Sequence, residues 1–328
     1  MRNAAIIGTG RHLPDKVLTN TELENMVETS DEWIRTRSGI KERRIAEPGT
    51  SASSLGVPAA RRALKKAGVR PTDLDLIIVS TMTPDMPFPA TACLIQRELG
   101  AKKAIAFDLQ AACSGFLYGL EVGRQFIATG TYQYVLVCAS EVMSSVIDWT
   151  DRSTCVLFGD GAGAAVLAPC ESGYGILTSH LHSDGREADL IEMPGGGSRN
   201  PATHETINTG LHYLKMKGNE VFKLGVRLMS MSVRHVLAES GISEDNIDLL
   251  IPHQANIRII LAMAERLKIP LEKVYINLSR YGNTSAASIA IALDEALEEK
   301  RIASNDVVVL SAVGAGLSWG AACIRWPA

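Results

Sequence analysis

The chain is poor in aromatic residues, 5% of 328, and no segment approaches the roughly 20 consecutive apolar residues that a membrane-spanning helix needs. The apolar stretch within Met1-Arg-Asn-Ala-Ala-Ile-Ile-Gly-Thr-Gly is also too short for a secretory signal, so no membrane partner and a cytoplasmic location are expected. Charge of one sign is lacking too. With 33 Lys and Arg against 36 Asp and Glu, the formal charge is −3, and no global field attracts a polyanion. The six cysteines show no CxxC spacing, which argues against a disulfide framework or a cysteine metal site and predicts free thiols. His180-Leu-His182 could share a strand face, but no further ligand cluster completes a zinc set. No metal is expected.

What is present is a hydrophobic fraction of 46%, enough for two domain-sized units with substantial cores. Leu74–Ser80, Ala104–Leu109 and Tyr134–Ala139 read as buried strands, and Ala59–Ala67 and Cys113–Ala128 carry helical spacing. The alternation predicts an α/β protein with largely parallel sheets. An internal echo refines this. AGVRPTDLDLIIVST (67–81) resembles ESGISEDNIDLLIPHQ (239–254), pairing Gly68 with Gly241 and Asp75 with Asp248, each pair 173 residues apart. Val135-Leu-Val and Val308-Val-Leu keep the same separation. Two similar α/β halves, 1–172 and 173–328, are expected to meet around a pseudo-twofold axis, with a boundary near residues 169–175. Between the repeats, the polar and Gly-rich residues 184–217 predict a lid, a binding loop or a partner contact.

Cys113, in DLQAACSGFLYGLEVG, stands where a strand ends and a helix opens, where unpaired amides and the helix dipole favour a thiolate. The alternative, open for every cysteine, is a small buried hydrophobe. His253, in LLIPHQANIRII, follows the strand of the second repeat, and Asn283, in RYGNTSAAS, occupies a turn opening a helix. Packing explains the first and an N-cap the second. Yet all three lie at strand ends or helix starts of a duplicated α/β unit, where ligands of such sheets bind.

Three glycine segments are not dinucleotide fingerprints. Gly8-Thr-Gly10 lacks the third glycine, Gly159–Gly163 runs into a strand-like sequence, and Gly314–Gly320 has only a strand after it. The last two are read as tight turns between strands. Arg35, Arg37, Lys41, Arg43 and Arg44 surround Trp33 and are read as continuing the helix opened by Asp31 and Glu32, with Arg152 as a possible addition. This is a solvated face or a place where an indole stacks a purine and guanidinium groups hold phosphates.

Cys, His and Asn in that order, with Cys113 and His253 140 residues apart, also fit a papain-type hydrolase. That reading lacks the local CG[SA]C[WY] signature, and the duplicated pattern is foreign to it. An RNA-binding protein using the Trp33 patch is a third reading, opposed by the acidic balance and the scarcity of aromatics.

In TSDEWIRTRSGIKERRIA, AACSGF, LFGDGAGAAVL, KMKGNEVFK, IPHQANIRII, RYGNTSAAS and GAGLSWG, taken in order, the sequence resembles the β-ketoacyl-acyl carrier protein synthase III enzymes of the thiolase superfamily. The resemblance covers nearly the whole chain. It implies a five-layered αβαβα sandwich, a homodimer, and condensation of an acyl-CoA primer, acetyl-CoA by default, with malonyl-acyl carrier protein. It implies no cofactor beyond the coenzyme A thioester substrate. By the same resemblance Cys113 is the nucleophile, His253 and Asn283 bind the malonyl thioester oxygen, and the amides of Cys113 and Ala315 form an oxyanion hole. Gly-Ala-Gly replaces the commoner Gly-Gly-Gly there, so a slightly more crowded loop is expected. Trp33 and Arg152 would sandwich adenine, with Arg37 near the phosphates and Gly218, Ala255 and Asn256 along the pantetheine tunnel. Gln254, Arg258 and Lys223 would receive the carrier protein, and Phe88 would bear on the acyl pocket. A thiolase proper would carry a second cysteine in residues 314–320, which contain none.

Overall fold

The computed structural model describes residues 2–327. The apolar run Leu76–Ser80 is a strand buried on both faces, with Leu76 and Ile78 turned to one cluster and Ile77 and Val79 to another. It is the fourth strand of a five-stranded sheet whose order is Asn3–His12, Gly161–Cys170, Val135–Glu141, Leu76–Ser80, Ile105–Leu109. A four-stranded sheet runs Gly175–Ser183, Ser318–Arg325, Val307–Gly314, Leu249–Pro252. Taken in that direction, the first two pairings of each sheet are antiparallel and the third is parallel. Both sheets are therefore mixed, not largely parallel as the alternation suggested, because in each half an antiparallel strand follows the parallel unit and the strand that opens the half lies antiparallel beside it. The second sheet keeps only a single parallel bridge, Leu250 to Val274, where the first has its fifth strand.

The repeated residues do the same work in each sheet. Gly68 and Gly241 both end helices in the left-handed region at φ 65°, which suits a residue without Cβ. Asp75 accepts the backbone N–H groups of Gln133 and Tyr134, and Asp248 accepts that of Val307, so each carboxylate braces the start of the neighbouring strand. The chain passes from the first sheet to the second between Cys170 and Gly175.

Helices Gly115–Ala128 and Ala287–Glu298 lie between the sheets and share one core with strands of both. Ala52–Ala67 and Thr91–Leu99 cover the outer face of the first sheet, and Gly218–Ser240 and Ile257–Leu267 that of the second. The result is the five-layered αβαβα sandwich. Gly115, Gly119 and Gly123 let the first central helix press on the sheet. A Cβ at Gly119 would fall 2.7 Å from Val137, and one at Gly123 2.8 Å from Leu167.

Two sequence expectations change here. Gly161 and Gly163 lie within a strand and not in a turn; a Cβ on Gly163 would meet Ala290 at 2.4 Å. The helix at Trp33 carries Arg35 and Arg37 but stops at Ser38 and Gly39, so Lys41, Arg43 and Arg44 do not continue it. Arg43 is fully buried in a short strand, bonding Leu18 O, Asn20 Oδ1 and Val156 O, and burial pulls its guanidinium down to about 10.

Candidate active site

Cys113 sits in a single 3-10 turn, Ala112–Ser114, directly ahead of the central helix. Ala112 enters the turn at φ 46°, and Ser114 Oγ bonds Ser318 O at 3.0 Å while Ser318 Oγ bonds Ala111 O at 2.8 Å. These two bonds lock the turn to the hairpin that carries Ala315. Gly314 is pressed so close that a Cβ there would lie 2.6 Å from the amide nitrogen of Cys113. The thiol is buried, and burial pushes it up to about 12, with the Ser285 hydroxyl opposing the rise and the nearby Glu141 adding to it. The resting group is thus a thiol. Burial thus opposes the thiolate that the helix position favours, and among the described residues no cation beside the sulfur offsets it.

His253 ends the Leu249–Pro252 strand, and its N–H reaches Ser311 O at 2.7 Å. Its ring is buried and held down to about 4 by that burial, so it is neutral at neutral pH. Nδ1 lies 2.7 Å from Ser288 Oγ, which also takes the Gln254 N–H at 3.3 Å. Asn283 is held by its backbone to Leu157 and Gly159, while its Oδ1 accepts the Ser285 N–H at 2.8 Å. Among the described residues its Nδ2 donates to no other protein group.

One short segment joins all three. Ser285 Oγ is 3.5 Å from Cys113 Sγ, Ser285 N–H holds Asn283, and Ser288, whose N–H bonds Ser285 O, holds His253. Ser285 Oγ also lies 3.1 Å from Oε1 of the buried Glu141. Sequence reasoning missed Ser285, Ser288 and Glu141. The only signal for the last is a carboxylate closing the apolar run VLVCASE, two residues beyond the expected strand end.

Farther out, the Arg152 guanidinium stacks on Trp33 at 4.8 Å from the ring centroid and donates to Glu28 O at 2.9 Å. Arg37 is exposed, and its carbonyl takes Asn256 Nδ2 at 3.1 Å. Asn256 Oδ1 caps the Ile257–Leu267 helix, so the Trp33 helix and the segment after His253 are tied together. Ala255 is half-buried, Gly218 is exposed at a helix start, and Lys223 and Arg258 are exposed, with Arg258 over Phe222 at 5.4 Å. Gln254 is a correction. It is 1% exposed, its Nε2 bonds Pro252 O and Tyr275 O, and its Oε1 takes the N–H groups of Asn277 and Leu278, so it has no surface to offer a carrier protein. Phe88 is 84% exposed.

A cavity of about 300 Å³ opens beside the Cys113 turn, lined by Met82, Gln110, Ala112, Val146 and Ala315 together with Ile191 and Leu214. The last two belong to the 184–217 excursion, which is closed by a two-strand ribbon, Ile191–Glu192 with Lys215–Met216. His180 stacks on His235 at 3.8 Å and His182 on Trp319 at 5.6 Å. Among the described residues no three His, Cys, Asp or Glu side chains are grouped to hold a metal, and all six cysteines are free.

Family comparisons agree along the chain. The family described as 3-oxoacyl-[acyl-carrier-protein (ACP)] synthase III matches residues 107–185, and its C-terminal counterpart matches 237–326. A β-ketoacyl-[acyl-carrier-protein] synthase III of Caldanaerobacter subterraneus is 56% identical over 98% of both chains, and one from Natranaerobius thermophilus is 54% identical over 99% of this chain and 100% of its own. The crystal structure of the Aquifex aeolicus 3-oxoacyl-[acyl-carrier-protein] synthase III superposes with a TM-score of 0.92 at 48% identity, covering 98% of this chain and 100% of that one. A priming β-ketosynthase of a polyketide pathway superposes at 0.93 with 36% identity over 99% and 97%.

Proposed function

Because the chain belongs to the β-ketoacyl-[acyl-carrier-protein] synthase III family, its reaction is the condensation of an acyl primer with malonyl-acyl carrier protein that initiates fatty-acid synthesis, and we propose that Cys113, His253 and Asn283 carry it. The hydrolase and RNA-binding readings fall with that membership. The observation supporting the assignment is the 283–288 segment, which holds the asparagine, the histidine and the thiol through its own two serines.

In the proposed scheme Cys113 attacks the carbonyl of the acyl-CoA primer, acetyl-CoA by default. The amides of Cys113 and Ala315 receive the oxyanion, and the tight approach of Gly314 supports that pairing. Coenzyme A then leaves. Malonyl-acyl carrier protein enters next, and its thioester oxygen accepts hydrogen bonds from His253 Nε2 and Asn283 Nδ2. The histidine is suited to this. Ser288 accepts the Gln254 N–H, so its own hydrogen is free for Nδ1, which leaves the ring proton on Nε2. Loss of carbon dioxide creates an enolate held by the two donors, and its carbon attacks the acyl-cysteine, expelling the Cys113 sulfur.

Coenzyme A is assigned to Trp33, Arg37, Arg152, Gly218, Ala255 and Asn256. The direct Arg152–Trp33 stack leaves no room for a purine, so Arg152 swings outward to admit adenine between them. Arg258 and Lys223 are the proposed basic contacts for the acidic carrier protein. A homodimer in which exposed Phe88 reaches the partner's acyl pocket, and a division into halves 1–172 and 173–328, complete the proposal. Coenzyme A enters as part of the substrate, and every group the scheme uses is a side chain or a backbone amide. Among the described residues no helix is long and apolar enough to cross a membrane, and we assign the reaction to the cytoplasm, where the carrier protein is expected.

Mass spectrometry after exposure to a panel of acyl-CoAs tests the nucleophile and reads the primer. A single acyl adduct on Cys113, absent from Cys113→Ala and retained in Cys138→Ala and Cys155→Ala, is the expected result. An adduct on Cys113→Ala contradicts it.

A further inference from the structure

A buried thiol held near 12 needs somewhere to send its proton when it attacks, and His253, neutral with its Nδ1 engaged by Ser288, offers no base at the sulfur. One hydroxyl does touch Sγ. Ser285 Oγ lies 3.5 Å from Cys113 Sγ and 3.1 Å from Glu141 Oε1. The hydrogens around Glu141 fix the direction of this chain. Its other oxygen, Oε2, receives the N–H of Met82 at 2.9 Å, the N–H and hydroxyl of Thr83 at 3.2 and 2.8 Å, and the hydroxyl of Thr81 at 3.2 Å. Thr83 Oγ accepts the Val142 N–H and Thr81 Oγ the Thr83 N–H, so both hydroxyl hydrogens are free for the carboxylate. Four donor contacts on one oxygen, one of them a Thr83 N–H shared with Thr81 Oγ, favour the ionised, acceptor-only form against the pull of burial toward the neutral one. Ser285 has a single hydrogen, so it donates that hydrogen to Oε1 and turns a lone pair to Sγ. The thiol is then the donor, and the chain reads S–H to Oγ–H to carboxylate.

We propose that Glu141, acting through the Ser285 hydroxyl, takes up the Cys113 proton as the sulfur attacks the acyl-CoA carbonyl and returns it to the departing coenzyme A sulfur. This rests on the assignment of Cys113 as nucleophile. In the first step the S–C bond forms and the S–H bond breaks, the proton passing to Ser285 Oγ while the serine's hydrogen passes to Glu141. Collapse of the tetrahedral adduct breaks the bond to the coenzyme A sulfur, which receives the proton back along the same path. Glu141 ends ionised, Ser285 ends as a hydroxyl, and no other reactant is consumed. Burial raises the carboxyl above its ordinary range, which makes it a stronger base than an exposed glutamate. The titratable groups of the site are Cys113, Glu141 and His253, and among the described residues no salt bridge reaches Glu141.

The test compares the intact protein with Glu141→Gln, Ser285→Ala and Cys113→Ala, each checked for native circular dichroism. Rapid-quench mass spectrometry reads single-turnover acetyl transfer from acetyl-CoA between pH 5 and 9, and the slope and rise of iodoacetamide alkylation from pH 7 to 11 read thiolate formation at Cys113. The relay predicts a loss of about a hundredfold in acetyl transfer at neutral pH for both Glu141→Gln and Ser285→Ala. In alkaline solution, the alkylation profile of Glu141→Gln moves to lower pH, because a negative neighbour has gone. Were Glu141 only a buried charge, easing thiolate formation would leave acetyl transfer unchanged or faster, and that result overturns the relay. If Glu141→Gln does not fold, Ser285→Ala decides alone, since it keeps the carboxylate and cuts the link; a parent rate there overturns the proposal. An acetyl adduct on Cys113→Ala overturns the nucleophile assignment itself, an outcome distinct from a failed relay in which Cys113→Ala stays unlabelled.

Discussion

Ser288 Oγ stands 2.7 Å from Nδ1 of His253, and this contact sets which ring nitrogen carries the proton. Ser288→Ala should therefore leave acetylation of Cys113 intact while slowing carbon dioxide release from malonyl-acyl carrier protein by about tenfold or more. Stranding a buried ring nitrogen should also cost about 1–3 kcal/mol of stability. Separate assays of the two half-reactions check this. Equal slowing of both would mean that Ser288 supports the whole site and not the histidine alone.

Gly314 meets the Cys113 turn so closely that an added Cβ would sit 2.6 Å from Cys113 N and 3.0 Å from Ser114 N. The turn cannot yield, being bonded through Ser114 and Ser318 to the same hairpin. Gly314→Ala is expected to displace one oxyanion amide and lower acetyl transfer by about a hundredfold. Thermal unfolding should show a loss of about 1–3 kcal/mol from overpacking. A variant that acylates at the parent rate would show that this close approach is dispensable for the chemistry.

Gln254 and Arg258 should separate stability from recognition. Gln254→Ala removes four internal hydrogen bonds and leaves buried backbone groups of Pro252, Tyr275, Asn277 and Leu278 unpaired. It should destabilise the fold by about 2 kcal/mol or more without raising KM for malonyl-acyl carrier protein in the folded fraction. Arg258→Glu should do the reverse, raising that KM about tenfold or more while acetyl loading from coenzyme A is unchanged. Chemical denaturation and steady-state kinetics on both variants decide the point.

The sequence made some of this site legible and hid the rest for physical reasons. Cys113, His253 and Asn283 each close or open a regular element, so periodicity and turn chemistry place them. The 173-residue echo works because Gly68 and Gly241 are both helix caps and Asp75 and Asp248 both brace a neighbouring strand. Glu141 and Ser285 acquire their meaning only where they meet. They are 144 residues apart in the chain, and no local pattern marks a contact of that range. The resemblance placed Gln254 among the carrier-protein contacts, but residues 275–278 fold over it. Arg43 looked like one member of a basic surface, yet the chain turns at Gly39 and carries it inside.

Acid should test the buried imidazole. His253 is held down to about 4 from its ordinary 6.5, so between those values the unfolded chain binds a proton that the folded chain does not. Its contribution to stability is therefore intact above pH 6.5 and falls as pH drops toward 4, by about 1.4 kcal/mol per pH unit at most and about 3 kcal/mol in all. Urea titrations of the parent and of His253→Ala from pH 7 to 4 should show the parent losing more stability over this window. Parallel curves would show that the ring is not held neutral.

The central claim is a division of labour, with Cys113 taking the acyl group and His253 and Asn283 acting on the malonyl thioester. A protease-like triad would instead use His253 to activate the thiol, so its loss would suppress acylation first. The decisive measurement follows acetyl transfer to Cys113 and carbon dioxide release from malonyl-acyl carrier protein separately in His253→Ala and in Asn283→Ala. Acetylation near the parent rate, with decarboxylation reduced about a hundred- to a thousandfold in each variant, is the expected result. A His253→Ala enzyme that cannot be acetylated yet releases carbon dioxide at the parent rate would contradict it.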